Sequence, residues 1–177
     1  LVPMYKENEV TIKNIIKNIS AISYPKHLLD VKLIIEKNDA KTLDLVKKQQ
    51  PNYFFDIILV PKSFPQTKPK ACNYALNFAR GEFVTIYDAE DKPDIFQLKK
   101  SVLIFKEARK AGIKLACIQA RLNFYNADEN MLSRLFAMEY SGWFDFTLPG
   151  LNFLGLPVPL GGTSNHFCIQ SLKAIHN

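Results

Sequence analysis

The segment Phe83-Val84-Thr85-Ile86-Tyr87-Asp88-Ala89-Glu90-Asp91 decides the fold class of this 177-residue chain. Its first five residues are apolar, aromatic or β-branched, which favours a buried strand. Three acids then follow within four positions. Such a change of polarity is typical of the carboxyl end of a strand in an open α/β sheet, where ligands bind. The segment therefore predicts an α/β protein with a polar site at one edge of its sheet.

The rest of the chain alternates short apolar segments with amphipathic ones. The pattern predicts strands over 31–35, 54–60, 83–87 and 115–120, and helices that begin near Asn8, Asp39, Pro69 and Asp94. The strands show no polar alternation, and helices separate them, so βαβ units are expected. We predict one doubly wound α/β domain with a mostly parallel sheet flanked by helices.

Composition excludes several classes of protein. Hydrophobic residues make up 47% and charged residues 23%, so the chain is globular rather than disordered. The net charge of +6 suits nucleic acid, an anionic membrane or a phosphate-bearing substrate. The lysines are scattered and form no basic arm, so we expect no nucleic-acid partner. The spacing of the three cysteines does not suggest a zinc site. No GxGxxG motif follows a strand, and this argues against a dehydrogenase.

The acids after the 83–87 strand have two interpretations. Asp88 and Glu90 stand two positions apart and could close on one hard divalent cation. Such a cation shares its remaining sites with substrate phosphates, which predicts a nucleotide-diphosphate ligand. The alternative is a solvated loop in which Asp94 caps the next helix.

The final third is rich in aromatic residues, proline and glycine. One helical stripe contains Leu132, Leu135, Phe136, Tyr140, Trp143 and Phe144. Its periodicity favours a core-facing helix, and a helix lying at a membrane surface is the alternative. The segment Gly161-Gly162-Thr163-Ser164-Asn165-His166-Phe167 then predicts either a close approach of backbone to a ligand or a tight turn without one.

Taken together, these motifs resemble the family 2 glycosyltransferases, which have the GT-A nucleotide-diphospho-sugar transferase fold. The resemblance is greatest to the membrane-associated bacterial branch related to cellulose synthase, and it runs from Val2 to Phe167. It implies a metal-dependent, inverting transfer of a sugar from a nucleotide-diphosphate sugar, expected to be a UDP-sugar, to a hydroxyl group. A glycan or lipid acceptor, a Mg²⁺ or Mn²⁺ cofactor and a cytoplasmic location at the inner face of the cell membrane are also implied.

The resemblance implies roles for residues that bind the donor. Tyr5 and Glu7 correspond to the segment that touches the nucleoside. Glu36 and Asp39 correspond to the region where an acid contacts the base. The usual adjacent Asp pair is replaced here by Glu36-Lys37-Asn38-Asp39. Which of the two acids reads the base therefore stays open, and Asp39 also suits the N-cap of the next helix.

Lys70-Ala71-Cys72-Asn73 resembles the family's Lys-Ala-Gly-Asn element. By that resemblance Lys70 neutralises the diphosphate and Asn73 hydrogen-bonds nearby. A lysine at a helix N-terminus suits phosphate on physical grounds as well, although an ordinary surface lysine is the alternative.

Asp88, Glu90 and Asp91 resemble the DxD metal motif, with the longer Glu90 in place of the second Asp. The cation would bridge the two phosphates of the donor. Gln119 and the three residues Gly162, Thr163 and Ser164 would line the acceptor side.

The family's general base lies in a Thr-Glu-Asp motif that is expected beyond Asn177. We therefore expect a partial domain, with a nucleotide-sugar-binding half over 1–120 and the start of the acceptor-side region over 121–177. The alternative is a catalytically incomplete binding module or a truncated relic that holds the nucleotide-sugar without turnover.

Overall fold

The computed structural model describes residues 1–175. The chain divides into two compact units, which we describe separately. The first unit contains Leu1–Ile118 together with the chain from His166 onward, and the second contains Gln119–Asn165.

Strands and helices alternate through most of the chain, as the sequence predicts. The strands are β1 (Val2–Met4), β2 (Val31–Glu36), β3 (Phe55–Val60), β4 (Phe83–Ile86), β5 (Cys117–Gln119) and β6 (Asn165–Cys168). The α-helices are α1 (Glu9–Ala21), α2 (Ala40–Lys48), α3 (Lys68–Leu76), α4 (Gln97–Lys110), α5 (Met131–Gly142), α6 (Leu148–Phe153) and α7 (Ile169–Ile175). A short 3₁₀ helix spans Lys26–Leu28, and a π-helical turn spans Trp143–Thr147.

The first three strands form a parallel sheet in the order β1-β2-β3. Val2 lies opposite Leu33, and the whole of β2 pairs in register with β3. The Tyr87 N–H donates to the Leu1 carbonyl at 3.0 Å, which places the end of β4 beside the start of β1 on the side away from β2. The chain thus adds β2 and β3 on one side of β1 and then places β4 on the other side. Such a switch of direction is where doubly wound folds bind ligands.

β6 lies between β4 and β5. Its first half lies near Tyr87, whose ring centroid is 6.4 Å from that of His166, while the Ile169 N–H donates to Glu82 at 3.1 Å. β6 therefore runs antiparallel to β4. The strands thus form two three-stranded sheets, of which β1-β2-β3 is parallel and β4-β6-β5 is not. The GGTSNHF segment does not end as a turn, because its last three residues begin this strand.

Helices cover both faces of the parallel strands. The buried isoleucines of α1, Ile12, Ile15 and Ile19, pack with residues of β1 and β2 on one face. On the other face Ala71 and Ala75 of α3 pack against Ile34 and Val60. This arrangement confirms the predicted α/β class. It also explains the continuous apolar sequence of β2, in which every residue is buried.

The predicted ends of two helices are wrong. α4 begins at Gln97 rather than at Asp94, whose Oδ1 accepts the Phe96 N–H at 3.1 Å in a turn before the helix. For α3 the sequence predicts a helix that continues to Ala79, with Gly81 as its stop, but the helix ends at Leu76. Its last turn tightens, because Phe78 donates to Ala75 and Ala79 donates to Leu76. Apolar spacing alone cannot distinguish this tighter winding from a continuing α-helix.

In the second unit, α5 begins at a capping box in which Asn130 accepts the Ser133 N–H at 3.0 Å. In this described part of the chain none of the α5 residues is buried, so the core-facing interpretation of its apolar stripe is wrong. Phe136 and Tyr140 contact Phe124, with ring centroids 6.0 and 4.6 Å away, and the rest of the stripe is largely exposed. None of the helices within residues 1–175 is long and apolar enough to cross a bilayer.

Candidate functional site

A cavity of about 220 Å³ opens in the first unit beyond the carboxyl ends of β1 and β2. Four predicted site residues, Tyr5, Glu7, Glu36 and Asp88, lie in its wall. They come from three separate segments, which meet because β1 and β2 end at the same edge of their sheet and β4 ends beside β1. The start of α3 closes the cavity with Gln66, Thr67, Lys68 and Ala71. A larger cavity of about 730 Å³ contains none of the predicted site residues.

The loop after β1 is held in place by α2. Lys6 adopts a left-handed backbone conformation with φ of 56°, and its N–H donates to Asp39 Oδ2 at 2.6 Å. The next N–H, that of Glu7, donates to Thr42 Oγ1 at 3.1 Å. Asp39 Oδ1 in turn accepts the Thr42 N–H at 3.2 Å and caps α2. Asp39 therefore fixes the loop that carries Tyr5 and Glu7 into the cavity wall.

Burial raises the pKa of the Asp39 carboxyl, but hydrogen bonds from Lys6 and Thr42 outweigh it and hold that pKa below its ordinary value. Both oxygens of Asp39 accept backbone N–H groups. Of the two acids after β2, Glu36 lies in the cavity wall, and Asp39 supports the loop beside it.

Glu36 is the most deeply placed acid of the site, with only 6% of its surface exposed. Its Oε1 forms an ion pair with Lys70 Nζ at 2.8 Å, and Lys70 also donates to the Ser63 carbonyl at 3.2 Å. Its Oε2 is buried and has no hydrogen-bond partner among the residues that the structure describes. A buried acceptor left unpaired costs roughly 1–3 kcal/mol, so this oxygen is suited to a donor group supplied by a ligand.

Lys68, to which the sequence analysis gave no role, lies at the first position of α3 and forms an ion pair with Asp88 Oδ1. Thr67 caps this helix, so backbone N–H groups and the Lys68 ammonium lie at the same edge of the cavity. Positive groups of this kind favour phosphate. The spacing Lys-Pro-Lys at the helix start was visible in the sequence, but the contact with β4 depends on the strand order.

Asp91 supports the turn after β4. Its Oδ2 accepts the Asp88 N–H at 2.7 Å, and its own N–H donates to the Asp88 carbonyl at 3.1 Å. Glu90 is exposed on the same turn. Burial raises the pKa of Glu7, and the negative charges of Glu90, Asp39 and Asp88 raise it further. Acids from three loops are therefore close enough to repel one another.

The donor atoms of this cluster are all carboxylate oxygens, which are the ligands that Mg²⁺ and Mn²⁺ prefer. The donor chemistry thus fits the predicted cation. Within residues 1–175, however, no three histidine, cysteine or acidic side chains are already assembled as a metal site.

The predicted acceptor-side residues belong to the second unit and form a network of their own. Gln119 Oε1 accepts the Gly161 N–H at 2.6 Å, and its Nε2 donates to the Thr163 carbonyl at 3.3 Å. A Cβ at Gly161 would stand 3.2 Å from Gln119 Oε1, so the glycine permits this close approach. Ser164 adopts a φ of 55° at the end of the turn. Gln119 thus shapes the backbone that presents Gly162, Thr163 and Ser164. Asn73, the remaining predicted donor-binding residue, is exposed on α3 and outside the cavity wall.

Residues 1–146 match the family model described as glycosyltransferase like family 2. The chain belongs to this family. It is 26% identical over 167 residues to the probable glycosyltransferase YdaM of Bacillus subtilis (strain 168), a match that covers 86% of this chain and 39% of the relative. It is also 26% identical over 141 residues to the dolichyl N-acetyl-alpha-D-glucosaminyl phosphate 3-beta-D-2,3-diacetamido-2,3-dideoxy-beta-D-glucuronosyltransferase of Methanococcus voltae, covering 80% of this chain and 43% of the relative.

Two solved structures show that this family 2 domain has the GT-A fold. One is the mannosyltransferase PcManGT of Pyrobaculum calidifontis in complex with GDP-Man and Mn²⁺. The match covers 98% of this chain and 45% of the PcManGT chain, with a TM-score of 0.67 and 20% sequence identity. The other is S. aureus TarS 1-349 in complex with UDP-GlcNAc. This match covers 73% of this chain and 35% of the TarS chain, with a TM-score of 0.56 and 22% sequence identity. The chain thus spans less than half the length of each of these relatives. The cellulose-synthase-like branch stays a prediction.

Proposed function

We propose that this family 2 chain is the donor-binding part of an inverting glycosyltransferase whose donor is a nucleotide-diphosphate sugar, a UDP-sugar by our sequence analysis. The observation that carries the proposal is the unpaired, buried Glu36 Oε2 in the same cavity wall as Lys68 and the start of α3. A carboxylate oxygen accepts hydrogen bonds from a base or a ribose hydroxyl, and the ammonium with the helix N-terminus attracts phosphate. A nucleoside diphosphate supplies both kinds of group.

The structural neighbours support this donor class. PcManGT is in complex with GDP-Man and Mn²⁺, and TarS is in complex with UDP-GlcNAc. We assign Tyr5, Glu7 and Glu36 to the nucleoside side of the cavity. Lys70 acts mainly through its ion pair with Glu36, and Asn73 remains a more peripheral candidate on the exposed face of α3.

We propose Asp88 and Glu90 as ligands of a Mg²⁺ or Mn²⁺ ion, with Asp91 shaping the turn that presents them. When bound, such a cation neutralises the charge that develops on the leaving diphosphate. The acids would hold it through hard oxygen donors, and their mutual repulsion in the free protein would be relieved by its charge.

On the acceptor side we propose that the backbone over 162–164, shaped by Gln119, faces the hydroxyl of a glycan or lipid acceptor. We also propose that the protein works at the inner face of the cell membrane. The exposed apolar side chains of the second unit, among them Met131, Phe146 and Phe153, support contact with lipid.

Titration calorimetry of the chain with UDP, with and without MnCl₂, tests the donor site. We expect UDP binding that requires Mn²⁺. Asp88→Asn should remove the Mn²⁺ requirement together with most of the affinity, and Glu36→Gln should weaken UDP binding about tenfold because a charged acceptor is lost. Asp44→Asn, which removes an exposed acid from α2, is the matched control. Unchanged UDP affinity in Asp88→Asn would refute the metal assignment, and no UDP binding by the unmodified chain would refute the donor site.

A further inference from the structure

Two lysines of α3 each hold one acid of the cavity. Lys70 pairs with Glu36, and Lys68 pairs with Asp88. The two pairs differ in their access to solvent. The side chains of the Lys68–Asp88 pair are 35% and 37% exposed, whereas those of the Lys70–Glu36 pair are 19% and 7% exposed. The outer pair can therefore exchange its partners for ions and ligands from solution, and the inner pair is fixed.

We infer that Lys68 is an exchangeable counter-ion that holds Asp88 in the free protein, yields that carboxylate to the divalent cation, and then binds the donor diphosphate. The inference rests on the proposed function. It makes the binding of metal and of nucleotide mutually dependent, since the cation releases the lysine that the phosphates require.

The chemistry of the pair supports this exchange. Asp88 Oδ1 forms an ion pair with the Lys68 ammonium, and a cation bound at that oxygen would be repelled by the positive charge beside it. Lysine is a point charge on a flexible four-carbon stem, so it can change partners without moving the backbone. Lys68 is also the first residue of α3, where the backbone N–H groups already favour phosphate.

Lys70 does not suit the same role. Its ammonium is bonded both to Glu36 and to the Ser63 carbonyl. Moving it would leave a buried carboxylate without its charge partner, which is far more costly than separating a half-exposed pair. Lys70 is therefore a positioning residue for Glu36, and Lys68, in the more exposed pair, is the lysine that we assign to the phosphates.

Calorimetry with Mn²⁺ alone and with UDP at saturating Mn²⁺ tests the exchange in the unmodified chain and in Lys68→Met. Without the ammonium, Mn²⁺ alone should bind about two- to fivefold more tightly, because the competing ion pair is gone. UDP at saturating Mn²⁺ should bind about tenfold more weakly, because a charged phosphate contact is lost. Lys62→Met removes the same charge from an exposed site outside the cavity wall and should change neither value.

Opposite changes in the two affinities, absent from the Lys62→Met control, establish the exchange. Mn²⁺ affinity that is unchanged or lower in Lys68→Met overturns it, even when the unmodified chain binds Mn²⁺ and UDP as the donor-site proposal requires. A shift of equal size in Lys62→Met also overturns it, because the effect would then come from net charge alone. Failure of the unmodified chain to bind UDP refutes the proposed function itself.

Discussion

The two units of this chain use their apolar residues in opposite ways. In the first unit, the apolar faces of α1 and α3 are buried against the sheet, and the polar residues gather at the ends of strands. In the second unit, α5 has an equally regular apolar stripe, yet none of its residues is buried in the described structure. An amphipathic sequence therefore fixes which face of a helix is apolar, while the surroundings decide whether that face becomes core.

Charge separates the two regions as well. Residues 119–165 contain two arginines and no lysine against four acids, although the whole chain carries a net charge of +6. The positive excess thus lies entirely outside that segment, in the part that holds the cavity. This distribution suits a phosphate ligand in the first unit. It gives the second unit no electrostatic attraction to anionic lipid, so any contact with a bilayer would be apolar.

The largest expected difference between the units is in stability. Ile15 of α1 is 0% exposed, and Leu135 of α5 is 51% exposed. We expect Ile15→Ala to lower the free energy of unfolding by about 2–5 kcal/mol, because it opens a cavity in the core. Leu135→Ala should change it by less than about 0.5 kcal/mol. Urea denaturation of both variants measures this, and equal losses would show that α5 is covered in solution.

Removing Asp39 should have a smaller effect on stability. Asp39→Ala loses the cap of α2 and the bond to the Lys6 N–H, so we expect a loss of about 1–2 kcal/mol near neutral pH. The lowered pKa of Asp39 contributes stability above its unfolded value of 3.8, and this contribution disappears as the pH falls through the folded pKa. The difference in stability between the unmodified chain and the variant should therefore disappear below pH 3.8. Thermal denaturation across the acid range measures this difference. Asp44→Ala serves as the control, and a gap that persists in strong acid would contradict the assignment.

The smallest effect is expected in membrane binding. Phe153 in the second unit and Phe64 in the first are both highly exposed, at 88% and 82%. If the second unit contacts lipid, Phe153→Ser should lower the fraction of protein that floats with phosphatidylcholine vesicles, and Phe64→Ser should not. Flotation should also be insensitive to salt, because the unit lacks a basic surface. Equal loss in both variants, or strong salt dependence, would refute the apolar contact.

The sequence was sufficient to predict the parts of the fold that depend on local pattern. The amphipathic pattern predicted a helix that begins near Asn8. Asn8 caps α1 by accepting the Thr11 N–H at 2.9 Å, and Ile12, Ile15 and Ile19 form its buried face. The continuous apolar segments predicted the strands, and β2 is buried along its whole length. Of the three acids after β4, Asp88 lies in the cavity wall.

What the sequence left open depends on residues that are distant along the chain. The Lys68–Asp88 pair joins residues twenty positions apart, and it exists only because β4 lies beside β1. For the Gly161–Phe167 segment the sequence left open a close approach to a ligand or a tight turn. Its last three residues instead begin an antiparallel strand between β4 and β5. Burial there lowers the pKa of His166 to about 4, so this histidine stays uncharged at neutral pH and tolerates the interior.

The Asp39 carboxylate, which accepts the N–H groups of both Lys6 and Thr42, also determines which part of the protein loses its structure first at low pH. Protonation of Asp39 weakens its hydrogen bond with the Lys6 N–H, and Lys6 has a left-handed backbone conformation that is costly for any residue with a Cβ. The aliphatic interior beneath has no such dependence on protons. Because the pKa of Asp39 lies below its ordinary value of 3.8, we expect acidification below that pH to disorganise the segment bearing Tyr5 and Glu7. The barrier to global unfolding should still be intact at that point, so that ligand binding is lost before the fold.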